Sequence, residues 1–95
     1  MSAFAVFTRE KTLDQAEMDE YTRKVKATFA GHQIKIHAAY GPQEMLEGDP
    51  IEGAVIIEFP TMAEAKAWYY SPDYQEVVKH RHKGASYQAY IVEGL

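Results

Sequence analysis

Apolar positions in this chain recur with two periods, and the switches between them mark its elements. Residues 3–8, AFAVFT, alternate small with larger apolar groups and predict a first strand that runs into a loop at Arg9-Glu10-Lys11. From Thr12 to Ala30 the period lengthens: Met18, Tyr21, Val25 and Phe29 return at three- and four-residue steps, as one face of a helix requires. Thr12 or Asp14 can cap its start, and Gly31 stands where a left-handed residue closes a helix. His32–Tyr40 alternates again and predicts a second strand, with Ile34, Ile36 and Ala38 in one row and Lys35, His37 and Ala39 in the other. Breakers at Gly41-Pro42 and Gly48-Asp49-Pro50 make residues 41–52 a loop or an irregular crossing. Residues 53–59, GAVIIEF, are the most apolar stretch and predict a central third strand ended by Pro60.

Thr61-Met62-Ala63-Glu64 reads as a capping box opening a second helix through Ala65, Trp68 and Tyr69. Ser71-Pro72-Asp73 interrupts that helix and caps a further helical segment, which runs to about Lys83 and ends at Gly84. Tyr87–Val92 alternates once more as a fourth strand.

The order β-α-β-β-α-β, with its second helix broken, is that of the α+β ferredoxin-like fold: a four-stranded antiparallel sheet with the helices on one face, here one domain over residues 1–95. Such a sheet in a monomer shows water a polar row. These strands do not provide one. Phe4 and Val6 oppose Ala3, Ala5 and Phe7; Ala54 and Ile56 oppose Val55, Ile57 and Phe59; Tyr90 and Val92 oppose Tyr87, Ala89 and Ile91. With helices for only one face, the other is expected to pack against a second copy, as a homodimer joined sheet to sheet.

Composition narrows the chemistry. The 95 residues contain no cysteine, which removes disulfides, thiolate metal sites and thiol catalysis. Ten Lys and Arg against fourteen Asp and Glu give a net charge of −4, which disfavours nucleic acid and anionic membranes as partners. No apolar run approaches a membrane span and the first residues carry no basic leader region, so a cytoplasmic location is expected. Phosphate-binding glycine loops, nucleophile elbows, zinc helices and dinucleotide fingerprints are all missing, and no cofactor is expected.

Among the residues left, Arg81 is the most informative. It shares a helix face with Tyr74, Val77 and Val78, so its guanidinium points toward the core, where it needs a carboxylate, carbonyls or an anionic ligand. Glu58 and Glu47 are the candidate carboxylates, through an Arg–Glu pair or as neighbours in a ligand pocket. Tyr21, Trp68 and Tyr69 can wall such a pocket or simply fill the core. His37 suits proton transfer by its intrinsic pKa, and its row faces away from Ile34 and Ile36, toward a partner sheet or a cleft at the dimer seam. His80 and His82 lie two apart on a helix and diverge, so no metal site is expected in Lys79–Lys83.

Several of these residues carry a family resemblance. Leu46-Glu47-Gly48, Ile57-Glu58-Phe59-Pro60-Thr61, Ala67-Trp68-Tyr69, Ser71-Pro72-Asp73-Tyr74, Arg81 and Val92-Glu93-Gly94 closely resemble the bacterial domain-of-unknown-function family 1330 over nearly the whole chain. The resemblance implies a dimeric α/β-barrel of two ferredoxin-like protomers and no established reaction. Glu47 and Glu58 both fall on its motif positions. Relatives of that architecture include monooxygenases of antibiotic biosynthesis, muconolactone isomerase-like proteins and haem binders, so an enzyme here would be isomerase-like or a cofactor-free monooxygenase by analogy of fold alone. Strand two in that family often ends in an Arg-Gly-Gly-like segment; this chain has Ala39-Tyr40-Gly41, and an anion anchored there in relatives is not carried over. Two functions follow: a small anionic or aromatic metabolite bound or transformed between helices and sheet, or a non-catalytic ligand-binding or structural homodimer.

Overall fold

A computed structural model describes residues 1–95. The strands are β1 (Ala3–Thr12), β2 (Lys35–Ala39), β3 (Gly53–Phe59) and β4 (Ala85–Glu93), and the helices α1 (Gln15–Val25), α2 (Met62–Tyr69) and α3 (Pro72–Gly84). All strand pairs are antiparallel in the order β2-β3-β1-β4, the split βαβ arrangement.

Local chemistry sets most boundaries. Asp14 caps α1, its carboxylate accepting from the N–H groups of Ala16 and Glu17, and Thr12 instead pairs in β1. The helix is shorter than its periodicity suggests, because its last turn tightens to a 3-10 turn over Lys26–Phe29 before Gly31 takes a φ of +82°. Thr61 accepts from the N–H of Glu64 at 3.1 Å, and Ser71 accepts from that of Tyr74 at 3.2 Å with Pro72 opening α3. Gly84 is not a left-handed terminator: α3 passes through it straight into β4 with no loop. Its lack of a side chain serves α1 instead, since a Cβ there would lie 2.9 Å from Cγ and Sδ of Met18. Strand β1 runs on through Arg9-Glu10-Lys11, where a loop is predicted, by absorbing a bulge opposite β4.

A second bulge, in β2, changes which side chains face the helices. Ile36 pairs with Ile57, Ala38 with Ile56 and Ala39 with Val55, so two residues of β2 oppose one of β3. Strict alternation puts Ala38 beside Ile36; the bulge exchanges it with Ala39. On the helix side Ala3, Ala5, Phe7, Ile57 and Phe59 pack against Met18, Tyr21, Ala65, Trp68, Tyr74 and Val78 in one core. The other side of the sheet has no helices, and there Tyr90 and Val92 are about half exposed (54% and 48%). No helix is long and apolar enough to cross a membrane.

Candidate functional site

Between α1 and the sheet the core leaves a cavity of about 150 Å³. Its walls come from every layer: Phe7 of β1, Tyr21 and Val25 of α1, Val55 and Ile57 of β3, Ala39 of β2, Trp68 of α2, Arg81 of α3 and Tyr87 of β4. The β2 bulge is what brings Ala39 and Ile36 to the same lining. No carboxylate and no imidazole lines it.

Arg81 is its one charged group. Only 4% of the residue is exposed, its Nε is buried without a hydrogen-bond partner, and it belongs to none of the ion pairs in the chain. Aromatic rings surround it instead: the guanidinium carbon lies 4.7 Å from the ring centre of Tyr87, 5.3 Å from Phe7 and 6.0 Å from Tyr21. Such contacts stabilise a cation by about 0.5–2 kcal/mol each without cancelling its charge. Burial works against that charge, but the surrounding phenol oxygens, Tyr74 first, more than offset it and raise the pKa of Arg81 above its ordinary value.

The phenols themselves are paired. Tyr21 and Tyr74 share a hydroxyl–hydroxyl bond of 2.8 Å in the core, and burial pushes both pKa values up, so neither supplies an anion for Arg81. Removing one member strands a buried hydroxyl, whereas removing both strands none. Tyr21→Phe and Tyr74→Phe are each expected to cost about 1–3 kcal/mol, and the double variant less than their sum. Urea titration of the four proteins checks this; strict additivity would show the pair to be uncoupled.

Tyr40 adds a part-exposed ring to the lining. It takes a φ of +58°, rare for a residue with a side chain, and its hydroxyl meets that of Tyr87 while the Arg9 guanidinium lies 4.7 Å from its ring centre. Arg9 in turn pairs with Glu52 at 3.1 Å. Gly53 makes room for the ring: a Cβ there would come within 2.5 Å of Cδ1 of Tyr40.

The candidates from sequence separate into two groups. Arg81, Tyr21 and Trp68 line the cavity together. Tyr69 lies behind Trp68, at a ring-centre distance of 6.3 Å, and opens onto a different groove with Phe7, Tyr70 and Ala89. Glu47 is exposed in the loop between β2 and β3, and Glu58 is on the helix-free side of the sheet, so the expected Arg–Glu pair does not form. Glu58 instead meets His37 Nε2 at 2.6 Å and accepts from the Ser2 hydroxyl at 2.8 Å; these bonds, His37 first, hold its carboxyl below the usual range. His37 therefore has a carboxylate partner, and its ring packs 5.9 Å from Phe4. His80 bonds Glu17 of α1 at 2.7 Å through Nδ1, apart from His82. Tyr87 was legible as a lining residue from the row it shares with Ala89 and Ile91; Tyr40 carries no such signal, because neither the bulge before it nor its backbone conformation is written in the pattern.

Comparison with known proteins gives this geometry a family. The model of the family described as domain of unknown function (DUF1330) matches residues 2–95. None of the curated proteins matches the chain in sequence. Among solved structures, a protein of unknown function from Rhodopseudomonas palustris, RPA0582, is 19% identical, with a TM-score of 0.77 over 99% of this chain and 82% of its own. A dimeric ferredoxin-like protein of unknown function from Jannaschia sp. CCS1 is 10% identical, with a TM-score of 0.73 over 99% and 100%. SnoaB, a cofactor-independent oxygenase from Streptomyces nogalater, is 10% identical, with a TM-score of 0.55 over 99% and 91%.

Proposed function

Because this chain belongs to the DUF1330 family, whose model names no reaction, we propose from the site alone that it binds a small metabolite in the cavity between α1 and the sheet, anchored by Arg81. One observation carries this reading: a buried guanidinium with no anion of its own faces an apolar cavity. Elsewhere in proteins such a charge is paired, because an unpaired one is costly. Tyr21 and Trp68 form the walls of the proposed site, while Tyr69, Glu47 and Glu58 lie outside it. The cavity has no carboxylate or imidazole to act as a base, and His37 is bonded to Glu58 on the other side of the sheet, so the reading is one of binding. The fold shared with SnoaB does not bring that protein's reaction to this one.

A thermal-shift screen of small acids and their neutral counterparts tests the reading. Compounds that raise the melting temperature of the wild type and perturb Trp68 fluorescence support it; a screen in which nothing does so overturns it.

The protein is further proposed to be a homodimer joined through the helix-free face of the sheet. Phe4, Val6 and Ile56 stand there beside exposed Tyr90 and Val92, and the similar Jannaschia structure is described as dimeric. Light scattering is expected to give twice the 10.8 kDa of one chain, and Val6→Glu, placing a charge between Ile56 and Tyr90, is expected to give a monomer. A wild-type monomer at micromolar concentration would exclude the dimer.

A further inference from the structure

Resting on the reading of the cavity as a binding site, we propose that its ligand is a monocarboxylate built on one aromatic ring, its carboxylate on Arg81 and its ring between Trp68, Val55 and Tyr21. Three features of the lining lead to this class. The first is charge. Arg81 contributes one positive charge, the hydroxyls of the lining tyrosines are taken up in two pairs, Tyr21 with Tyr74 and Tyr40 with Tyr87, and the nearby Arg9 is already paired with Glu52. The cavity thus lacks one negative charge. A phosphate monoester, at about −1.5 to −2 near pH 7, would leave charge uncompensated in an apolar site, and a neutral ligand would leave Arg81 unpaired.

The second is donor geometry. Rings lie against the guanidinium and seal its Nε from the cavity, so a ligand there meets Arg81 through the outer nitrogens of the fork. A planar carboxylate is the group that matches parallel N–H donors of a guanidinium two at a time. The third is size and wall chemistry. At about 150 Å³ the space equals that of engineered apolar cavities of roughly 150 Å³ that take up benzene, so it holds one ring and not two. Aromatic side chains line it on several sides, and a planar guest meets them edge-to-face or offset at a gain of about 0.5–1.5 kcal/mol per pair.

The class can be tested with the 95-residue protein by following amide and Trp68 indole resonances during titration. Benzoate is the probe, benzamide its uncharged isostere, acetate the carboxylate without a ring, and phenyl phosphate the more highly charged analogue. Benzoate is expected to shift resonances of Trp68, Val55 and Tyr21 and to bind at least tenfold more tightly than each of the other three. In Arg81→Met, benzoate and benzamide are expected to bind equally. Should that variant fail to fold, Arg81→Lys keeps the charge without the planar fork and is expected to retain the preference for benzoate over benzamide at weaker affinity. Benzamide or phenyl phosphate binding the wild type as tightly as benzoate would overturn the assignment of one negative charge; acetate doing so would overturn the ring. If all four leave the cavity resonances unmoved while another compound from the thermal-shift screen moves them, this ligand class is wrong and the binding site stands. If no compound moves them, the site itself is wrong.

Discussion

Trp68→Ala is expected to remove most of the stability of the fold. Trp68 is the largest fully buried side chain, and its ring meets Phe59 and Phe29 at 5.5 Å, Phe7 at 6.2 Å and Tyr74 at 4.2 Å between centres. It joins α2 to two strands, to α3 and to the 3-10 turn after α1. Its Nε1 also donates to the Thr28 hydroxyl at 3.1 Å, and that hydroxyl donates on to the Val25 carbonyl at 2.6 Å, so truncation removes a partner from the tightened end of the first helix. Replacing such a residue by alanine costs about 3–5 kcal/mol. Domains are stable by only about 5–15 kcal/mol, and one of this size stands toward the lower end. With a urea m-value of about 1–1.5 kcal/mol/M, the midpoint should fall by about 2 M or more. Trp68→Phe, which keeps a ring but loses the N–H, should fall between the two. A midpoint for Trp68→Ala within 0.5 M of wild type, an offset of about 0.5–0.75 kcal/mol at that slope, would show that the rings do not hold the layers together.

Gly84→Val should be nearly as damaging, for an opposite reason. At Gly84 the problem is too much matter rather than too little. The Met18 side chain can swing away from a new Cβ, but the Met18 backbone nitrogen, 3.0 Å from it, cannot move without shifting α1. The helix is also tied at that point, because the Gly84 carbonyl accepts from the N–H groups of both Leu13 and Asp14, at 2.8 and 3.0 Å. Overpacking costs typically about 1–3 kcal/mol and occasionally more. Alanine should lie within that range and valine, with two further methyl groups, at or above its top. For a domain of this length each kcal/mol is worth about 4–8 °C of melting temperature, so differential scanning calorimetry should find Gly84→Ala lowered by at least about 5 °C and Gly84→Val by more than 12 °C. Equal melting temperatures for Gly84→Ala and wild type would mean that the two helices give way easily.

These two positions also show how far the pattern of the chain reaches. Trp68 is identifiable as core from its spacing on a capped helix, and β3 is found at its true limits because an unbroken apolar run between Gly53 and Pro60 has only one reading. Gly84 is visible as a stop but not for its purpose, since a glycine that spares a distant methionine looks the same as one that ends a helix. The site was half legible. Helical spacing points Arg81 inward, yet which carboxylates accompany it depends on strand register, and register placed Glu58 on the far side of the sheet. Alternation carried without interruption through β2 exchanges Ala38 and Ala39, because a bulge costs the sequence no recognisable residue. Tyr40 was beyond reach for the same reason: its place in the cavity lining follows from a backbone conformation that favours glycine and from space left by a different residue, Gly53.

The junction of α3 with β4 bears on how Arg81 would work. Helix and strand meet with no intervening loop, the N–H of Ala85 donating to the carbonyl of Arg81 itself, so the segment carrying the guanidinium continues into a nine-residue strand paired with β1. A cation on a loop would have to be ordered each time a ligand arrived, and that loss of freedom would subtract from affinity. Here the backbone is already ordered by folding, and rings restrict the side chain. The entropy of positioning the charge is thus part of the stability of the protein rather than of its binding, and association should proceed without a slow conformational step on the helix side.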